Sequence, residues 1–200
     1  MGFDLYGNKP IVPKNNKAEI KVLERKREQL KDNTDLDTAD IQEKLWAIEE
    51  KIEGLSPGAY FRNNVWWWRP LWTYVCNTCS DILTEIQLDG GFVNGGTNIP
   101  KYKAIKIAKR LQEQVDNGNL KQASKEYKEQ LERLPDSDCT VCGATGKRLE
   151  APDVGPGTIH CNACDGKGKQ KNWAVHYPFD IDNVKDFIIF AKYSGGFKIY

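Results

Sequence analysis

The first pattern along the chain is a charged segment, residues 17–53, whose few apolar residues recur at helical spacing. Apolar residues three and four positions apart share one face of a helix, so the pattern predicts two helices. The polar stretch 32-DNTDLD-37 predicts the turn of an αα-hairpin, with Asp37 or Thr38 as the N-cap of the second helix. Its many charges favour a solvated hairpin over a partner-binding coil. The apolar positions are Ile20, Leu23, Leu30, Ile41, Leu45, Ile48 and Ile52.

Helical spacing resumes after the break 54-GLSPG-58. Because proline fits the first turn of a helix, Pro70 predicts a helix start. Later apolar faces predict helices near residues 105–115, 120–134 and 181–192, and 194-SGGFKIY-200 is expected to form a short closing strand. Alternation with a period of two is scarce, so a large sheet is not expected. The helix after Pro70 is expected to bury Leu71, Val75, Cys79, Ile82 and Ile86.

The aromatic stretch 60-YFRNNVWWWRPLWTY-74 places Trp66, Trp67 and Trp68 side by side, flanked by Arg62 and Arg69. Neighbouring side chains point in different directions, so one surface cannot receive all three indoles. We expect an extended segment that leads into the following helix, with most of the stretch in the core. One alternative is a pocket in which an indole stacks on a base and an arginine meets phosphate. The other alternative is that the aromatic stretch binds single-stranded nucleic acid in general.

Composition and charge narrow the function classes. The 200 residues suit one domain with appendages, and the profile of 40% hydrophobic and 28% charged residues is typical of a globular protein. The 29 basic and 28 acidic side chains cancel to +1, which makes nucleic acid an unlikely partner. No apolar run approaches the roughly 20 residues that cross a membrane, and no signal-peptide pattern opens the chain. A cytoplasmic location, with reduced cysteines, is expected.

Four cysteines carry the strongest chemical signal in the sequence. They form two C-x2-C pairs, 139-CTVC-142 and 161-CNAC-164, and each pair can place two sulfurs on one tight turn. Glycines beside them permit the positive φ angles that such turns need. The pattern predicts one structural zinc ion; four cysteines without metal are the alternative. The expected ligands are Cys139, Cys142, Cys161 and Cys164.

Three weaker features remain open. Cys76 and Cys79 lie one helical turn apart and are expected to be core residues, with a redox pair or a metal pair as alternatives. The loop 89-DGGFVNGGTN-98 could present N–H groups to an anion, but a plain connector is favoured. His160 adjoins Cys161 and is either a spare ligand or, as we expect, an exposed neighbour of the site.

The cysteine module resembles the C-x2-C-x-G-x-G repeat of the DnaJ cysteine-rich zinc domain. The second copy matches at Cys161, Cys164, Gly166 and Gly168, whereas the first has Ala144 in place of a glycine. Two repeats are present instead of the four of that family, so the resemblance implies one zinc ion and a protein-contacting surface. The chain has no His-Pro-Asp motif, and a J-protein co-chaperone role does not carry over.

A wider resemblance involves the start MGFDLYG, the stretch YFRNNVWWWRPLW and the ending SGGFKIY. These resemble an uncharacterised family of small proteins of bacteriophages and bacteria. The resemblance spans nearly the whole chain apart from the charged hairpin. It implies a phage origin and action on a host protein in the host cytoplasm, and nothing catalytic.

Together these features predict a mainly α fold, with a helical body, a charged αα-hairpin and a small irregular zinc-binding module. The expected function is a non-enzymatic, zinc-stabilised binding protein with a protein partner. A nucleotide-like small molecule held in a pocket of Trp and Arg is the alternative, and an enzyme of unknown type comes third because no catalytic motif emerges. The expected divisions are 1–16 (N-terminal segment), 17–53 (hairpin), 54–134 (helical core), 135–175 (zinc module) and 176–200 (C-terminal helix and strand).

Overall fold

A computed structural model describes residues 2–32 and 37–200. The chain divides into two compact units, Met1–Lys121 with Asp180–Tyr200, and Gln122–Phe179. Helices hold 53% of the described residues, and a small sheet lies beside them. The architecture is therefore mixed α/β, and the prediction of a mainly helical fold was too simple.

The helices and strands begin and end as follows. The helices are α1 (Lys17–Lys31), α2 (Thr38–Leu55), α3 (Val65–Cys79), α4 (Glu85–Gly90), α5 (Lys101–Asp116), α6 (Asn119–Glu132) and α7 (Ile181–Tyr193). The strands are β1 (Gly2–Gly7), β2 (Tyr60–Asn64), β3 (Thr97–Pro100), β4 (Ser137–Asp138), β5 (Lys147–Arg148), β6 (Ile159–His160), β7 (Lys169–Gln170) and β8 (Gly196–Ile199). The helices predicted near 105–115, 120–134 and 181–192 are confirmed as α5, α6 and α7, and the predicted closing strand is confirmed as β8.

The sheet of the first unit joins segments that are far apart in sequence. Its strand order is β2-β1-β8-β3, and each neighbouring pair is antiparallel. In β1 the side chains of Phe3 and Leu5 alternate with more exposed neighbours and are buried. Helices α3, α5 and α7 pack against one another and against this sheet. Because each strand has only four to six residues, its alternation is too short to stand out in the sequence.

The helix that contains Pro70, α3, begins five residues before this proline, at Val65, inside the aromatic stretch. Asn64 caps it, since its side-chain oxygen accepts hydrogen bonds from the backbone N–H groups of Trp66 (3.0 Å) and Trp67 (3.1 Å). Our prediction that Trp66, Trp67 and Trp68 are extended was wrong, because this cap starts the helix at Val65; the extended segment is β2, just before it. Pro70 lies inside the helix, where it cannot donate a backbone hydrogen bond.

The same helix also ends earlier than expected. Its last residue is Cys79, whereas the apolar spacing had extended it to Ile86. A second helix, α4, begins after Thr84, whose side chain accepts from the backbone N–H of Gln87 while the Gln87 side chain accepts from the backbone N–H of Thr84. This capping box stabilises a new start. Ile86 is consequently exposed and belongs to no core face.

One of the three adjacent tryptophans is a centre of the core. Trp68 is fully buried, and its ring stacks on Phe3 at 5.4 Å and on Trp72 at 5.3 Å between centroids. Its indole N–H donates to the carbonyl of Gly91 at 2.7 Å, so burial leaves no unsatisfied donor. Position 91 also has no room for a side chain, because a Cβ on Gly91 would lie 2.0 Å from the Trp72 ring. The glycine-rich loop that contains Gly91 thus contributes to the core.

The charged hairpin segment forms the two predicted helices, α1 and α2. Most of the link predicted at 32–37 lies outside the described residues. Asp37 is the N-cap residue of α2, without a side-chain hydrogen bond. Among the described hairpin residues, burial is confined to Ile20 and Leu23 of α1. Both helices therefore present mostly charged, solvated surfaces, as expected.

Removing the hairpin should leave a folded protein. The Asn16 side chain donates to the Leu55 carbonyl at 2.9 Å, so the two ends of the hairpin meet and two glycines can replace residues 17–53. We expect the shortened chain to keep a cooperative unfolding transition and the near-ultraviolet circular dichroism of its buried tryptophans. Loss of both signals would place the hairpin inside the folding core.

Among the described residues, none of the helices is both long enough and apolar enough to cross a membrane.

Candidate metal centre

The second unit contains two similar turns, each built on one C-x2-C pair. In the first turn the N–H of Ala144 donates to the carbonyl of Cys139 at 3.1 Å, and in the second the N–H of Gly166 donates to the carbonyl of Cys161 at 3.0 Å. Antiparallel pairs β4–β7 and β5–β6 join the segments that enter and leave these turns. The short pairs hold the two turns face to face.

The turns bring all four cysteine sulfurs into one buried cluster. The sulfur atoms of Cys139, Cys142, Cys161 and Cys164 lie within 4.8 Å of one another, and all four residues are buried. The Sγ atoms of Cys139 and Cys161 are 3.8 Å apart, and those of Cys142 and Cys164 are 3.7 Å apart. These distances are too long for disulfide bonds, which measure about 2.05 Å. All four sequence-predicted ligands therefore meet at one point.

The spacing of the sulfurs fits a tetrahedral metal ion. Metal–sulfur bonds of about 2.3 Å, directed to the corners of a tetrahedron, separate the sulfurs by about 3.8 Å. Two of the six sulfur–sulfur separations, Cys139–Cys161 and Cys142–Cys164, are within a tenth of an ångström of that value. The cluster could therefore hold one metal ion.

Backbone N–H groups support negative charge on two of the sulfurs. Gly146 donates to the Sγ of Cys142 and Gly168 donates to the Sγ of Cys164, each at 3.3 Å. Burial raises the pKa of the Cys164 thiol to about 11, despite its N–H donor. In Cys142 burial acts in the same direction, but the Gly146 N–H and the neighbouring thiols outweigh it and lower the pKa to about 7. A bound divalent cation would offset half of the charge of four thiolates, and its binding would release protons.

The two turns also share an unusual backbone conformation. Gly146 and Gly168 have φ angles of +75° and +71°, and Ala144 has φ of +65°, where the matching position of the second turn has Gly166 at +69°. The missing glycine of the first repeat therefore does not change its shape. Ala144 adopts the left-handed conformation at a cost of about 1–2 kcal/mol.

A glycine test follows from these angles. A Cβ on Gly146 would lie 2.2 Å from the carbonyl oxygen of Gly166, on the facing turn. We expect Gly146→Ala to weaken metal binding and to lower the melting temperature of the second unit, because the clash adds to the cost of the positive φ angle. Ala144→Gly is the matched control: it should retain the metal and change stability by no more than about 1 kcal/mol. Metal analysis measures the metal content of both variants, and calorimetry measures their melting temperatures. Equal losses in Gly146→Ala and Ala144→Gly would contradict this role of Gly146.

The aromatic stretch and its arginines do not share one environment. Trp68 is fully buried, Trp66 is half-buried and Trp67 is 36% exposed. Arg62 and Arg69 are both exposed, and the Nε of Arg62 is 3.7 Å from a carboxylate oxygen of Asp4. The indoles therefore divide between core and surface, as helical geometry requires of neighbours. Trp68 has no exposed face for a ligand.

The remaining candidates lie outside the cysteine cluster. Cys79 is fully buried and Cys76 is half-buried; burial raises their pKa values to about 12 and about 11, so both stay protonated thiols at neutral pH. This supports the interpretation as core residues. His160 is exposed, with its Nε2 3.6 Å from a carboxylate oxygen of Asp165, and it does not join the four sulfurs.

Comparisons of this chain with protein-family models, with curated proteins and with solved structures found no match.

Proposed function

We propose that this chain is a non-enzymatic binding protein, stabilised by one structural zinc ion, that acts on a protein partner. The observation that carries the proposal is the buried cluster of four cysteine sulfurs. Four protein ligands fill a tetrahedral shell, so no coordination position is left for a substrate. Such closed sites stabilise small folds instead of performing catalysis.

Zinc is favoured over iron as the metal. A tetrahedral set of four sulfurs suits either a zinc ion or an iron centre. The resemblance to the DnaJ zinc repeat, carried by Cys161, Cys164, Gly166 and Gly168, supports zinc. An iron centre would colour the purified protein, whereas zinc is colourless because its d shell is full.

A surface for the protein partner lies on the hairpin of β5 and β6. Three apolar side chains are exposed along this β-hairpin: Leu149, Val154 and Ile159. We call them the hairpin apolar surface; they are separate from the charged αα-hairpin of residues 17–53. The N–H of Leu149 donates to the carbonyl of Gly155 at 3.1 Å, which folds the loop back on its own strand. Exposed apolar groups that lie together on a surface are candidates for protein binding.

A paired substitution tests this assignment. Val154 is 64% exposed, so Val154→Asp should fold and keep its metal while the new charge prevents burial against a partner. Val93, 57% exposed in the first unit, provides Val93→Asp as the matched control. We expect affinity capture from host lysate to recover a stoichiometric partner with the wild type and with Val93→Asp, but not with Val154→Asp. Capture that is equal with all three proteins would contradict the assignment.

The resemblance to small phage and bacterial proteins extends the proposal to a phage-encoded factor in the host cytoplasm. Small phage proteins of the host cytoplasm often act by binding a host factor. A host protein is therefore the partner class that the capture experiment addresses.

A further inference from the structure

A cleft of about 520 Å³ lies beside α5 in the first unit, and the side chains that line it carry a net positive charge. Its volume falls in the range of about 300–1,000 Å³ that is common for small-molecule sites. Basic side chains outnumber acidic ones in its lining, although the whole chain is nearly neutral. The charged lining residues are Asp81, Lys103, Lys106, Lys109, Arg110 and Glu113.

Both carboxylates that line the cleft already form ion pairs with other lining residues. The guanidinium of Arg110 donates to the two carboxylate oxygens of Asp81 at 3.0 and 3.1 Å, and this interaction lowers the pKa of Asp81. The Nζ of Lys109 is 3.9 Å from a carboxylate oxygen of Glu113. Two cations remain, Lys103 and Lys106. Neither has a carboxylate oxygen within 4.0 Å in the described ranges of the chain.

Lys103 is the more informative of the two because it is only 8% exposed. Its ammonium group donates to the side-chain oxygen of Gln87 at 2.6 Å. The Gln87 amide is held in turn, since its nitrogen donates to the carbonyl of Asn98 at 2.8 Å and its oxygen accepts from the N–H of Thr84 at 3.2 Å. A buried ammonium with a neutral partner lacks the countercharge that buried ions normally have. An anion in the cleft would supply it.

The backbone places the second cation on the same side of the helix. Lys103 and Lys106 are three residues apart on α5, and residues at this spacing share one helix face. Both line the cleft, together with the largely exposed ring of Tyr102. Two lysine side chains in one lining match a group of charge close to −2, and a phosphate monoester carries about −1.5 to −2 at neutral pH.

We propose that this cleft binds the phosphate group of a small phosphorylated metabolite. Lys103 and Lys106 contact the phosphate, and the Tyr102 ring provides an apolar face for the rest of the ligand. The site shares no residue with the four cysteines, the hairpin apolar surface or residues 60–74. It is therefore independent of the proposed partner binding and of the pocket of Trp and Arg.

Calorimetric titration with inorganic phosphate and with adenosine monophosphate tests the proposal. Lys106 is exposed, so Lys106→Ala should fold normally; loss of one charge-assisted contact should weaken binding of both probes about tenfold or more. Lys101 is exposed on the same helix but does not line the cleft, and Lys101→Ala should bind like the wild type.

A second variant separates ligand binding from structure. Burying a charge without an ionic partner is costly, so Lys103→Met, which removes the charge and keeps a similar length, should keep or raise the melting temperature. It should nevertheless lose binding of both probes. A protein in which Lys103 has only a structural role would show no loss of binding in this variant.

Several outcomes would overturn the proposal. One is the absence of saturable binding of either probe to the wild type at millimolar concentration; another is equal weakening by Lys101→Ala and Lys106→Ala. Binding of a single-stranded oligonucleotide without binding of the monophosphate would also overturn it, because the ligand would then be a nucleic acid. Tighter binding of adenosine monophosphate than of phosphate would identify the ligand as a nucleotide. Equal binding of the two probes would identify it as another phosphorylated metabolite. Both results support the site.

Discussion

Cys161→Ser is expected to abolish metal binding and to unfold the second unit, residues 122–179. The sulfur of Cys161 is buried in the cluster, where a shorter and harder hydroxyl ligand cannot replace it. Structural zinc contributes about 10–16 kcal/mol in small metal-dependent folds, which is comparable with the whole stability of a domain, about 5–15 kcal/mol. Metal analysis and hydrogen exchange across residues 122–179 measure the two effects.

The first unit supplies the internal control for this experiment. Its core contains Trp68 and Trp72 and none of the four clustered cysteines. Near-ultraviolet circular dichroism of these indoles should therefore persist in Cys161→Ser. Cys76→Ser is the matched cysteine variant, since Cys76 lies outside the cluster and should keep the metal. A Cys161→Ser protein with wild-type metal content would contradict the site.

Trp68→Ala should have the second largest effect, a loss of about 3–5 kcal/mol in the free energy of unfolding. The substitution leaves a cavity between Phe3, Trp72 and Phe187, whose rings surround the indole. It also leaves the Gly91 carbonyl without the N–H donor that it has in the native core. Denaturant titration, followed by circular dichroism, measures the loss.

The neighbouring residue is a control of the same type. Trp67 is 36% exposed, so Trp67→Ala should cost much less than Trp68→Ala. Trp68→Phe should lie between them, because it keeps part of the ring contact and loses the hydrogen bond to Gly91. Similar losses for Trp67→Ala and Trp68→Ala would show that the core does not distinguish the two indoles as the structure does.

The metal site could be predicted because its information is local. Each C-x2-C pair specifies one turn, and the glycines after Cys142 and Cys164 are close enough in sequence to be recognised with them. The pairing of the turns through β4–β7 and β5–β6 involves strands of two residues, which leave no periodic signal. The ligands were therefore predictable, whereas the strand pairs that hold them were not.

Other features depend on contacts that are distant in sequence. β1 pairs with β2, which follows after the charged hairpin, and with β8 at the opposite end of the chain. Its two buried side chains, Phe3 and Leu5, are too few to indicate a strand. The start of α3 depended on two competing signals, the cap at Asn64 and the proline at 70, and the cap prevailed. The cleft at α5 was missed although Lys103, Lys106 and Arg110 follow helical spacing. Only the fold shows which of the described lysines have no carboxylate oxygen within 4.0 Å.

Native mass spectrometry of freshly purified protein tests the central claim most directly, because it counts metal ions on the intact chain. We expect a mass that exceeds the sequence mass by one zinc ion, and loss of that mass increment when the protein is acidified and its thiolates are protonated. Protein that folds fully without metal, or that carries an iron ion in the cluster, would contradict the account.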